Sequence, residues 1–101
     1  MPRDPREAHH RLLLSEIDEE RGAALSRIGR RFEGTLRHCE ELLAALDATP
    51  AGPEHDRLLE EYRSARIDSQ RARRDYSIQR QALGLVDRER VDRHYPHPPA
   101  R

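Results

Sequence analysis

The sequence predicts an all-α protein: an antiparallel two-helix hairpin of the coiled-coil type that dimerises into a four-helix bundle. Three observations lead to this prediction. The 101-residue chain is 38% charged and only 35% hydrophobic, so its apolar surface is too small for a deep globular core. That surface still suffices for a stripe along a helix. A single internal Pro/Gly cluster separates two segments of nearly equal length, and each segment carries core-type residues at alternating spacings of three and four.

The first helix is predicted over residues 5–47, after an N-terminal cap at residues 1–4. Asp4 is a residue type that caps helices, and Pro5 fits the first helical position. Glu7 completes a pair that resembles a capping box. The helix can then continue without interruption, because no further proline occurs before the internal cluster.

A loop is predicted over residues 48–52, where proline and glycine are concentrated. The second helix is predicted over residues 53–95. Glu54 and Asp56 fall in its first turn, where the helix dipole favours acidic side chains. The remaining residues, 96–101, form a Pro-rich tail that we expect to be extended and mobile.

The spacing pattern also predicts how the helices pair. In the first helix it selects Leu25, Ile28, Phe32, Thr35, Cys39, Leu42 and Leu46, and in the second Leu58, Tyr62, Ala65, Ser69, Ala72, Tyr76, Gln79, Leu83 and Val86. A fold about Gly52 places Phe32 opposite Ala72. It also places Cys39 opposite Ala65, so that large side chains face small ones. We therefore predict that Cys39 is a core residue and not a nucleophile.

Several apolar residues lie outside this seam and suggest a surface for a partner. The five that we select as partner-binding residues are Leu36, Leu43, Ile67, Ile78 and Leu85. A second apolar strip on a thin hairpin usually means that another helix covers it. We expect a homodimer, another protein, or both as the partner. The alternative is that these are ordinary, scattered surface aliphatics.

A row of arginines in the second helix has two possible roles. Arg66, Arg73 and Arg80 recur every seven residues, beside acids at the opposite flank. This arrangement suits a parallel coiled coil, and arginine also binds phosphate bidentately. Binding of nucleic acid or a nucleotide is therefore possible, but the formal net charge of zero makes it the less favoured hypothesis. The exclusive use of arginine could also reflect a GC-rich, bacterial-like codon usage.

Histidines near both ends of the hairpin suggest a metal site. The predicted register brings His9 and His10 close to His94 and His97 at the open end. Neutral imidazoles suit zinc, nickel or copper, although no recognised ligand spacing is present. The alternative is that these histidines lie on solvated helix ends.

The remaining features narrow the class of function. A single cysteine excludes an intramolecular disulfide framework, and no nucleophile–base grouping or phosphate loop is present. We therefore expect no catalytic residue and no cofactor. Because no apolar run is long enough for a membrane span, we expect a cytoplasmic protein that does not bind membranes. The leading hypothesis is a non-enzymatic protein-interaction module, such as an adaptor, an accessory subunit or a regulator.

Overall fold

A computed structural model of the chain describes the backbone of residues 5–85 and 88–101 and the side chains of residues 19–85 and 90–101. Within these described residues three helices follow one another: α1 (Pro5–Ala48), α2 (Pro53–Ala82) and α3 (Arg88–His94). The predicted boundaries of α1 and of the loop after it agree with the structure to within about a residue. The predicted cap at residues 1–4 lies outside the described residues.

Helices α1 and α2 pack antiparallel along one side, which confirms the helical hairpin. The predicted register is also confirmed near the middle of the pair. Phe32 and Ala72 belong to one buried cluster, and a Cβ placed on Gly29 would lie 3.1 Å from the ring of Tyr76. Hence the large side chains of Phe32 and Tyr76 face an alanine and a glycine of the opposite helix.

The turn between α1 and α2 is stabilised by local hydrogen bonds. The Thr49 hydroxyl donates to the carbonyl oxygen of Ala45 (2.7 Å), and this bond satisfies one of the open carbonyls at the end of α1. Gly52 adopts a φ of 153°, which side chains disfavour. The amide of Asp56 then donates to the Gly52 carbonyl oxygen (3.0 Å), which begins α2.

Among the side chains that the structure describes, two buried clusters form the interior. The tip cluster, next to the turn, contains Cys39, Leu42, Leu46, Leu58, Tyr62 and Ala65. The central cluster contains Phe32, Ala72 and Val91, with Leu36, Tyr76 and Tyr95 packed around it. The prediction that Cys39 is a core residue is confirmed, because its side chain is fully buried. Between the clusters, the hydroxyls of Thr35 and Ser69 donate to carbonyl oxygens of their own helices, at 2.6 and 2.7 Å.

The prediction of one helix over residues 53–95 is wrong, because α2 ends at Ala82. Gly84 has a φ of 78° and its amide donates to the carbonyl oxygen of Gln81 (3.0 Å). The amide of Leu85 donates to the carbonyl oxygen of Arg80 (2.8 Å). This pair of bonds, with glycine in the left-handed conformation, is the Schellman motif that terminates helices.

The chain reverses after α2, and α3 and the Pro-rich tail return along the hairpin. Val91 of α3 is buried against Phe32 and Ala72, so the returning segment completes the central cluster. The expectation of a mobile tail is therefore not met: side chains of α2 hold it, as described below. Together the described elements form a rod of 73 × 22 × 16 Å.

Candidate functional site

The returning C-terminal segment is held by side chains that donate hydrogen bonds to its main-chain carbonyl oxygens. Four such bonds come from α2: Tyr62 Oη to Pro99 O (2.5 Å), Arg63 Nε to Arg101 O (2.9 Å), Arg66 Nε to Pro98 O (3.0 Å) and Arg73 Nη2 to Tyr95 O (2.5 Å). We call these four α2 residues the carbonyl clamp. At the tip, the guanidinium of Arg101 also pairs with the Asp47 carboxylate (3.3 Å).

The chemistry of the clamp suits a proline-rich segment. Proline has no amide hydrogen, so an extended Pro-rich backbone cannot satisfy its own carbonyl oxygens. Arginine offers several donors and no acceptor, and it therefore complements a backbone that offers mainly acceptors. Because the bonds are made to the main chain, they recognise an extended conformation more than particular side chains.

Arg73 is the most buried of the three arginines in the clamp, with 8% of its surface exposed, whereas Tyr62 is fully buried. It donates to the carboxylate of Asp92 (3.2 Å) as well as to Tyr95 O. Its guanidinium carbon also lies 4.9 Å from the centroid of the Phe32 ring, within the range of a cation–π contact. Burial lowers the pKa of Arg73, and the charge and hydrogen bond of Asp92 oppose this shift.

Three aromatic rings connect the returning segment to the hairpin. The centroids of Phe32 and Tyr95 are 5.1 Å apart, those of Phe32 and Tyr76 are 5.7 Å apart, and those of Tyr76 and Tyr95 are 6.0 Å apart. The Tyr95 hydroxyl donates to a carboxylate oxygen of Glu33 (2.7 Å). That hydrogen bond, together with burial, raises the pKa of Tyr95 to about 12.

The five predicted partner-binding residues divide into two groups. Leu36 and Leu43 are half-buried and pack against the central and tip clusters. They also line a cleft of about 440 Å³ between α1 and the tail, so the protein's own C-terminal segment lies over much of this part of the apolar strip. In contrast, Ile67, Ile78 and Leu85 remain 48%, 50% and 45% exposed.

Two of the exposed residues share one face of α2. Ile67 and Ile78 are about three turns apart, so they lie on nearly the same side of the helix. Leu85 follows the helix, and with Ile78 and Val91 it lines a groove of about 580 Å³ between α2 and α3. We call the surface formed by Ile67, Ile78 and Leu85 the α2 apolar face.

The predicted arginine row does not act as one unit. Arg66 and Arg73 are engaged by the tail, which removes them from the parallel coiled coil that the sequence suggested. Arg80 instead lies with its guanidinium carbon 5.7 Å from the centroid of the Tyr76 ring and lines the groove between α2 and α3. Its Nε atom is buried without a hydrogen-bond partner.

The four predicted metal-binding histidines do not converge. His94 and His97 lie beside Glu33 and neighbouring α1 residues, because α3 folds back along the hairpin. His9 and His10 fall in the first turns of α1, about 35 Å away along the helix, and their side chains lie outside the described residues. His97 Nε2 is 3.4 Å from Asp92. Within the described part of the chain, no group of three metal-ligating side chains occurs.

Sequence reasoning missed Tyr62, Arg63 and Tyr95 as residues that secure the tail. The available signals were Gly84, which is a typical residue just after a helix, and the proline-rich tail, whose carbonyl oxygens need external donors. The helical periodicity through residue 86 outweighed both signals.

The thiol of Cys39 is poorly suited to nucleophilic chemistry, because burial raises its pKa and the thiolate is the reactive form. None of the helices in the described part of the chain combines the length and apolar character needed to cross a membrane. No protein-family model matches the chain, and no characterised protein or solved structure is significantly similar to it.

Proposed function

We propose that this chain is a non-enzymatic protein-interaction module that forms a homodimer through the α2 apolar face. One observation carries the proposal: Ile67, Ile78 and Leu85 stay about half exposed, although the C-terminal segment folds over the neighbouring apolar strip. Full burial of such a side chain contributes about 1.5–3 kcal/mol, so covering the exposed half of each contributes roughly 1 kcal/mol. The fold therefore leaves an unused driving force for association on this one face.

The pattern of apolar residues supports a second copy of the chain as the partner. In an antiparallel pair of α2 helices with a two-fold axis near Ala72, Ile67 of one copy lies against Ile78 of the other. The same register places Arg71 of one copy opposite Arg74 of the other, with the exposed Asp75 of each copy beside them as the compensating charge. A self-complementary patch of this kind is what a two-fold interface requires. The two hairpins together would form a four-helix bundle.

The test is the mass of the protein in solution, measured by light scattering after size exclusion. We expect a mass twice the 11.8 kDa of the chain, and we expect it to persist in high salt, because apolar contacts are not screened. Ile78→Asp should reduce the mass to that of one chain while the helical circular dichroism stays unchanged. Ala44→Asp adds the same charge at an exposed position of α1 and should leave the dimer intact. A monomeric wild type, or an unchanged mass for Ile78→Asp, would contradict the proposal.

Binding of a phosphate-bearing ligand is a second candidate function. It is favoured by the unpartnered Nε atom of Arg80, which lies in the groove together with Arg74 and Ser77. Calorimetry with inorganic pyrophosphate tests this candidate. Binding should weaken steeply with salt and should be lost in Arg80→Met but kept in Arg27→Met, which removes an exposed arginine of α1. The absence of binding heat at low salt would exclude it.

A further inference from the structure

The C-terminal segment lies in a cleft of the hairpin that is lined by the carbonyl clamp and by Phe32 and Ala72, and we treat this cleft as an interaction surface in its own right. It takes an extended, proline-rich strand, and every donor in the carbonyl clamp belongs to α2, whereas every acceptor belongs to residues 95–101. The aromatic and apolar contacts of Tyr95 and Val91 likewise join the segment to the hairpin. None of these contacts requires the strand and the hairpin to belong to the same molecule.

We propose that the cleft of one copy accepts the C-terminal segment, residues 88–101, of a second copy, so that two chains exchange these segments. Exchange of an identical element preserves each contact while joining two molecules. The segment suits such a transfer because an extended proline-rich strand is already ordered before it binds. This inference concerns a different surface from the α2 apolar face and does not rest on the proposed function.

The connection between α2 and α3 supplies the hinge. In the described part of this connection, a glycine with positive φ, Gly84 (78°), and the bonds of its Schellman motif turn the chain. The core-type spacing of α2 nevertheless continues through Leu83 and Val86, and no proline occurs before Pro96. A straight helix across residues 83–95 is therefore compatible with the sequence. Such a helix would carry the segment away from its own cleft and towards that of a second molecule.

The unequal lengths of α1 and α2 leave room for this straight form. The contact between Gly29 and Tyr76 sets a register in which the end of α2 lies opposite about residue 22 of α1. The earlier turns of α1, which begins at Pro5, extend past the end of α2. In the straight form, residues 83–95 would run alongside these turns and extend the hairpin.

Crosslinking between mixed chains tests the exchange. In a Cys39→Ala background, one chain carries Asp47→Cys and the other Arg101→Cys, because these side chains meet at 3.3 Å. The chains are mixed, unfolded, refolded together and treated with a short bis-maleimide. Exchange predicts a crosslinked heterodimer at least about tenfold more abundant than in the control mixture of Glu20→Cys with Arg101→Cys, since Glu20 lies about 40 Å from Asp47 along α1.

The yield of the crosslinked heterodimer should also depend on the residue at the hinge position, Gly84. Gly84→Ala, introduced into both chains, should raise the yield of the heterodimer, by about fivefold for each substituted chain. Alanine strains the positive φ of the closed form and favours the continuous helix of the exchanged form. Gly34→Ala, at a helical position where a Cβ meets nothing within 4 Å, should not change the yield. Ile78→Asp in both chains, which we expect to be monomeric as purified, should leave the crosslink yield after joint refolding unchanged, and this separates the exchange from dimerisation through the α2 apolar face. The proposal would be overturned if the heterodimer were no more abundant than in the Glu20→Cys control mixture, both with Gly84 present and with Gly84→Ala.

Discussion

Arg73 donates a hydrogen bond of 2.5 Å from its Nη2 atom to the carbonyl oxygen of Tyr95, which follows the last residue of α3. Carbonyl oxygens at the end of a helix lack intrahelical partners and carry partial negative charge. The cation of Arg73 satisfies one of them at the point where the chain leaves α3 and becomes extended. A single buried side chain thus joins the middle of α2 to the returning segment.

Replacement of Arg73 should therefore release the C-terminal segment. Arg73→Met leaves Tyr95 O and Asp92 without this donor, at a cost of about 2 kcal/mol, so the population of the open segment should rise about 30-fold. Limited trypsin digestion measures this rise as faster cleavage after Arg93. Arg74→Met is the matched control, because it removes one exposed arginine from the next position. Equal cleavage rates for the two variants would contradict the assigned role of Arg73.

Two glycines of α1 should respond in opposite ways to the same substitution. Gly34→Ala should raise the free energy of unfolding by about 1 kcal/mol, because alanine favours the helix and the added Cβ meets nothing within 4 Å. At Gly29 the added Cβ lies 3.1 Å from Tyr76, whose ring is hemmed in by Phe32 and Tyr95. Gly29→Ala should therefore be less stable than Gly34→Ala by about 1–2 kcal/mol. Urea unfolding measures both, and equal stabilities would contradict the close packing at Gly29.

The hairpin and its register could be predicted from sequence because both depend on local periodicity. The spacing that selects Phe32, Cys39 and Ala72 is set by the helical repeat itself, and the structure buries all three side chains. The Pro/Gly cluster marks the turn for a similarly local reason. Each of these features is encoded within a few neighbouring residues.

The return of the chain could not be predicted in the same way. It depends on bonds between residues far apart in sequence, such as Arg66 with Pro98, and no spacing rule links them. The arginine row also satisfied the pattern of a parallel coiled coil, which concealed its use as a donor to the tail. Gly84 was a local signal for the reversal, but a single glycine within a continuing helical pattern is weak on its own.

Tyr95 should titrate abnormally late. Its pKa is raised to about 12 by the hydrogen bond to Glu33 and by burial. The difference in absorbance at 295 nm between the wild type and Tyr95→Phe should therefore show ionisation near pH 12. In Glu33→Gln the carboxylate is absent, and ionisation should move towards the ordinary value of about 10. Ionisation of Tyr95 near pH 10 in the wild type would show that this hydrogen bond does not form.

The same shift predicts how stability depends on pH. Below about pH 10 the Tyr95 hydroxyl is protonated in both the folded and the unfolded chain, so its contribution to the free energy of unfolding is fully present. Between about pH 10 and 12 the unfolded chain loses this proton while the folded chain keeps it, and the free energy of unfolding falls. We expect a loss of about 1–2 kcal/mol after solvent screening, measured by urea unfolding. Tyr95→Phe should lack this component of the pH dependence.

The Cys39 thiol should be protected from modification in the folded protein. It is fully buried in the tip cluster, and burial raises its pKa. Its reaction with Ellman's reagent at pH 8 should be at least about 100-fold slower in the native state than in 8 M urea. Rapid native reaction would mean that the tip cluster opens readily.

Recognition of the tail through its main chain has an evolutionary consequence. The hydrogen bonds that the clamp makes to Pro98 and Pro99 end on their carbonyl oxygens. Every residue type offers such an oxygen, so sequence drift at these two positions should be nearly silent as long as the backbone stays extended. Tyr62 and Arg66 supply the donors and have no such freedom. Divergent versions of this protein should therefore conserve the donor residues of α2, while the residue types at the tail positions that they hold can change.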